Sequence, residues 1–139
     1  MKKLVILLLT LVMVACEKEL VDTEALGENA GIIGTWVEDG YEDDLTLLNR
    51  ANKLDPSKYG FTMEDNGSFI ERKNAGWCGT PPITYDNFEG TWEALSDSLI
   101  EITVGYWGGT LTYQMRIVSL DAEDLRIRYL YSNDRLEAR

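Results

Sequence analysis

At 139 residues, 45% of them hydrophobic, the chain has material for one domain with one core. It contains no histidine, which excludes a Ser-His-Asp triad, a Cys-His pair and a His-ligated metal, and with them most hydrolase mechanisms. A net charge of −11 repels phosphate backbones and anionic lipid alike, so nucleic-acid binding and a peripheral electrostatic grip on membranes are excluded as well.

The chain opens on MKKLVILLLTLVMVAC: basic Lys2 and Lys3, an apolar run from Leu4 to Val14, then Ala15 before Cys16. That run is shorter than the about 20 residues a bilayer span needs, and it fits an export signal over residues 1–15. The small residue directly before Cys16 resembles the lipobox of bacterial lipoproteins, with Met13 where that motif prefers Leu. The resemblance implies that Cys16 is lipidated, that the lipid is the protein's contact with a membrane, and that its address is the cell envelope, on the outer membrane. An ordinary export signal with a cysteine near its cut is the alternative. Lipidation leaves Cys78 unpaired, so the exported domain is expected to be held by its core and not by a disulfide. Residues 16–30 follow with EKELVDTEALGENAG, polar and acidic, which reads as a flexible tether.

From Gly31 onward the dominant period is two. TLTYQMRIV sets Leu111, Tyr113, Met115 and Ile117 against Thr112, Gln114 and Arg116; LRIRYLY sets Leu125, Ile127, Tyr129 and Tyr131 against Arg126 and Arg128. LIEITVG sets Ile100, Ile102 and Val104 against Glu101 and Thr103. Asn66-Gly67 is a hairpin signal, because a type I′ turn needs positive φ at both central residues. Strands are expected near 32–38, 44–50, 59–64, 67–73, 88–95, 98–105, 110–118 and 124–131. The second competes with a short helix over DLTLLNRANKLDP, ended by Pro56. The expected fold is all-β: an eight-stranded antiparallel meander over 31–132, closed into a small barrel that leaves no exposed edge, with a short tail at 133–139.

IIGTW at 32–36 and FEGTW at 88–92 share the pattern apolar-x-Gly-Thr-Trp. A Gly-x-Trp on the first strand of such a meander, the hairpin Asp65-Asn66-Gly67-Ser68-Phe69, and GWCGTPPITY followed by Gly90-x-Trp92 resemble the lipocalin and calycin superfamily, and in particular the lipocalin-like domains of Gram-negative lipoproteins. The resemblance implies a barrel that binds an apolar ligand or a partner, seldom a catalyst. Many members also pack an arginine of the last strand over the Gly-x-Trp tryptophan; here Arg126 and Arg128 fall on the face opposite Leu125 and Ile127.

Residue chemistry adds little catalysis. Cys78 has no Lys or Arg within three residues to lower its pKa, so it reads as a packed thiol. Asp39, Glu42, Asp43 and Asp44 match no calcium loop; the residue types would allow a paired-carboxylate glycosidase, but nothing in their spacing favours it and a small barrel leaves little room for a sugar cleft. No catalytic residue, metal or cofactor is therefore assigned. Chain-order closure would gather 51–58, 74–87 and 106–109 at one end with Trp36 and Trp92, and GWCGTPPITYDN would plug it. Inward faces offer Trp36, Phe61, Met63, Trp92, Tyr113, Met115 and Tyr129 to a small apolar ligand. The expected function is a lipid-anchored envelope binding protein. The alternative is a partner-binding or structural lipoprotein with a filled barrel.

Overall fold

The period-two segments become eight strands: β1 (Gly34–Glu42), β2 (Leu45–Ala51), β3 (Gly60–Met63), β4 (Ser68–Asn74), β5 (Tyr85–Ser96), β6 (Leu99–Tyr106), β7 (Gly109–Leu120) and β8 (Asp124–Leu130). This computed structural model describes residues 31–76 and 80–131; the expected leader and tether, with Cys16, and Trp77, Cys78 and the expected tail lie outside the described residues. The DLTLLNRA segment is a strand and not a helix, because Thr46 and Leu48 alternate into the core while its edges pair on both sides.

All pairings are antiparallel and the sheet closes as β1-β2-β8-β7-β6-β5-β4-β3. This corrects the chain-order closure. Strands β3 to β8 do follow one another as a meander, but β1 pairs with both β2 and β3, and β2 closes the barrel against β8. Since β2 and β3 are each antiparallel to β1, they run in the same direction. The 52–59 connection must therefore return along the barrel before β3 begins. It packs Leu54 where a Cβ on Gly60 would point, and the Pro56 carbonyl accepts from Arg72 Nη2 at 3.0 Å.

The registers define two ends. At one, the chain enters through Gly31 and Ile32, beside the β3–β4, β5–β6 and β7–β8 hairpins. At the other lie the β1–β2 turn, the 75–84 connection, the β6–β7 turn and Tyr131. The sequence-based division of turns is thereby rearranged. Trp36 and Trp92 share an end, as expected, but it is the end opposite the 75–84 connection, so the described part of that segment does not cover them.

The entry end is closed by side chains. Trp36, Ile32, Phe61, Met63, Phe69, Ile100, Ile102, Met115, Leu125 and Ile127 are fully buried. Each large apolar side chain so buried contributes roughly 1.5–3 kcal/mol before entropy is counted. The Trp36 indole donates to the Ile32 carbonyl at 2.8 Å, and Trp92 donates to Glu64 O at 2.8 Å. The guanidinium of Arg50 lies 4.2 Å from the Trp36 ring centroid. It donates to Gly31 O at 2.6 Å, Ile33 O at 3.0 Å and Ala122 O at 2.7 Å. One arginine thus stacks on the tryptophan, fastens the entering chain and ties down the β7–β8 turn.

The two Gly-Thr-Trp glycines serve different ends. Gly34 has φ +130°, and a Cβ there would lie 2.7 Å from Arg50 Nη1, so its space belongs to the arginine and not to Trp36. A Cβ on Gly90 would meet the Thr103 carbonyl at 2.2 Å, so β6 itself requires that glycine.

Candidate functional site

Followed from the entry end to the other, the inward faces of β1, β2, β4, β7 and β8 change character, while β6 stays apolar through Ile100, Ile102 and Val104. On β8, Leu125 and Ile127 give way to Tyr129 and then Tyr131. On β4, buried Phe69 is followed by Glu71 and Lys73; on β2, Leu48 gives way to Thr46. On β7, Met115 gives way to Tyr113 and Leu111, and on β1 Trp36 gives way to Glu38 and Tyr41.

Glu38 and Tyr41 are three residues apart, yet both line the same space. The register shift between Glu38 and Gly40 explains this, since one extra residue in the strand re-aims the next side chain. Glu38 stands opposite Leu48 and Tyr41 opposite Thr46, both inward positions. The Tyr41 hydroxyl donates to Glu38 Oε2.

Together these residues enclose a cleft of about 350 Å³, open at the end away from the chain entry. Five tyrosines (Tyr41, Tyr59, Tyr113, Tyr129 and Tyr131) line it with Glu38, Glu71, Lys73, Thr46 and Leu111. Glu71 is its fixed point, only 4% exposed. Its Oε1 accepts from Tyr59 at 2.9 Å and Tyr113 at 2.8 Å, while Oε2 accepts from Lys73 Nζ at 2.6 Å. Because the single Tyr59 proton goes to Glu71, the Tyr129 hydroxyl donates to Tyr59. Ring contacts bind the same group: Tyr113 and Tyr129 meet edge to face at 5.6 Å, and Tyr129 stacks near Tyr131 at 6.3 Å.

Burial, above all, pushes the Tyr59, Tyr113 and Tyr129 phenols well above the ordinary tyrosine range, and the Glu71 carboxylate adds to it. Tyr41 is pushed up to about 12 by burial and by Glu38. The phenols are therefore neutral donors at physiological pH, arranged to hold a buried carboxylate. Among the described residues no cluster of three or more metal-ligating groups occurs, and no helix is long and apolar enough to cross a membrane.

The expected ligand residues divide between the two ends. Tyr113 and Tyr129 line the cleft. Trp36, Phe61, Met63 and Met115 lie in the packed core, and Trp92 lies half-buried against it at the entry end. Sequence reasoning did not assign Glu38, Tyr41, Thr46, Tyr59, Glu71, Lys73, Leu111 or Tyr131 to the ligand site, although it placed Leu111 and Tyr131 on inward faces. A signal for Glu71 was present, since period two from Phe69 places it on the aromatic face, but a charged residue there reads as a solvated one. The lining is accordingly more polar than the apolar one expected.

The barrel is consistent with a calycin or lipocalin-like fold. The arginine over the Gly-x-Trp tryptophan, which the last strand does not supply, is Arg50 of β2, the strand that occupies the closing position between β8 and β1. Compared with family models, with curated proteins and with solved structures, the chain matches none.

Proposed function

We propose that the protein is a lipid-anchored, lipocalin-like binding protein of the bacterial cell envelope, holding a small molecule in the tyrosine-walled cleft and catalysing no reaction. The observation that carries this reading is a cleft of about 350 Å³ at one end of a barrel that is otherwise filled with side chains. Its volume lies at the lower end of ordinary ligand pockets, and its walls combine aromatic surface with a few fixed polar groups. The cysteine motif at residue 16 supports the anchor, and the acidic surface leaves lipid as the means of attachment. The first described residues enter at the closed end, so a tether arriving there would leave the cleft facing away from its own attachment point.

Native mass spectrometry of the mature protein, purified gently from its own host, tests the binding reading. A reproducible added mass that disappears on denaturation is expected. A clean apo mass, with no shift on adding small aromatic or aliphatic molecules, would overturn it. That result would favour partner binding, for which one observation speaks: Tyr41, Trp107, Leu111 and Tyr131 are exposed apolar side chains at the cleft end. For the anchor, Cys16→Ala is expected to release the protein from membranes. Equal retention of this variant after a carbonate wash would refute lipidation.

A further inference from the structure

The charges and rings of the cleft specify more than size. Among its lining residues two carboxylates, Glu38 and Glu71, face one cation, Lys73, and no arginine or histidine is present. That single cation is already committed to Glu71 Oε2 at 2.6 Å and lies 5.3 Å from the Phe88 ring centroid. The lining thus already holds one ammonium on a carboxylate, with the ring of Phe88, outside the lining, as its aromatic neighbour. Glu38 stands on the wall with only the Tyr41 hydroxyl described on its carboxylate, leaving acceptor capacity on both oxygens. Tyr113, Tyr129 and Tyr131 form a contiguous aromatic wall facing the same space, with centroids 5.6 to 6.3 Å apart. Faces of aromatic rings carry negative potential, and walls of low dielectric strengthen the pull of a carboxylate among them. Around all of this the chain carries −11.

Resting on the small-molecule reading above, we propose that the cleft selects a small organic cation: an ammonium attached to a flat apolar body, its charge facing Glu38 and its body against the wall of Tyr113, Tyr129 and Tyr131. An anion would meet two carboxylates, and a neutral molecule would leave Glu38 without a counter-charge. At about 30 Å³ for each water-sized volume, the cleft admits on the order of ten heavy atoms.

Three probes of similar size separate the possibilities when titrated into the full chain by calorimetry: 2-phenylethylammonium, 2-phenylethanol and phenylacetate. The ammonium is expected to bind about tenfold or more tightly than the alcohol, with the acid weakest. Added salt should narrow the gap, and Glu38→Gln should reduce it several-fold, because Glu38 lies away from the Glu71 network that the fold uses. Tyr131→Leu, at an exposed position, should weaken the ammonium more than the alcohol. Equal or tighter binding of the alcohol or the acid would overturn the charge preference while leaving a ligand-binding cleft. A neutral or anionic ligand carried from the host would do the same. No binding of any probe, together with a clean native mass, would overturn both readings.

Discussion

The two halves of this barrel are built from the same strands and solve opposite problems. At the entry end, Trp36, Phe61, Phe69, Ile102 and Leu125 fill the interior, and the one charged group among them, Arg50, spends its donors on three backbone carbonyls. At the far end the inward positions carry tyrosines and a buried Glu71, and the interior is left open. A closed end needs complementary volume, and aliphatic side chains supply it without polar atoms to satisfy. An open end needs walls that hold their positions. The phenols around Glu71 do this by tying opposite walls together: Tyr113 of β7 and Tyr59, which in turn accepts from Tyr129 of β8, both reach the carboxylate on β4, and each hydroxyl fixes the next. The comparison teaches that stability and recognition are segregated along the strands and not between domains.

That segregation can be broken at its strongest point first. Trp36→Ala empties the centre of the closed end and is expected to cost about 3–5 kcal/mol, a large share of the roughly 5–15 kcal/mol that holds an ordinary domain. Urea denaturation followed by circular dichroism measures it, and a loss under about 1 kcal/mol would show that the closed end does not hold the barrel. Next in size is a pH effect confined to the open end. Tyr59, Tyr113 and Tyr129 keep their protons in the fold, while the unfolded chain loses its own near pH 10. Stability is therefore full below about pH 10 and falls above it, by up to about 1.4 kcal/mol per pH unit for each phenol. The tyrosinate absorbance of these three should rise only as the barrel unfolds, and the Tyr59→Phe/Tyr129→Phe double variant should flatten the decline. A smooth titration with the fold intact would mean that the network is open to water.

Arg50→Lys sharpens the comparison from the other side. Lysine keeps the charge but not the planar fork that reaches Gly31, Ile33 and Ala122 together, so a loss of about 2 kcal/mol is expected, with the cleft's ligand affinity unchanged. A loss of affinity equal to the loss of stability would couple the two ends. The smallest effect belongs to Asp44, which pairs with Arg128 Nη2 at 3.0 Å on the exposed surface. Hydrogen bonding from Arg128 holds the Asp44 carboxyl below its usual range, yet the pair lies at the surface and is screened by water. Asp44→Asn should leave the urea midpoint unchanged.

Alternation along the chain placed eight strands, the second of them in competition with a short helix, and period two is visible wherever a strand turns one face to the core. Pairing order was not legible in the same way. The pattern TLLNRA states which face is buried but not which strand lies beside it, and only the length of the 52–59 connection distinguished β2 from a hairpin partner of β3. Arg50 follows from that gap: sought on the last strand, it sits on the strand that takes the last strand's place. The cleft was half visible. Tyr113 and Tyr129 lie on clear apolar faces, whereas Glu71 and Lys73 lie on a strand whose two faces, Phe69-Glu71-Lys73 and Ile70-Arg72, are equally mixed. Tyr41 depended on a bulge, which inverts the alternation from which faces are read.

Placing β2 beside β8 also dictates when the barrel can exist. Thr46 emerges early in synthesis, yet its neighbour across the seam is Ile127, near the end of the chain. Until β8 follows, β2 presents a bare edge, open to pairing with any other strand nearby. No product truncated before Asp124 can close the seam, so a chaperone that shields strand edges would find its substrate in β2.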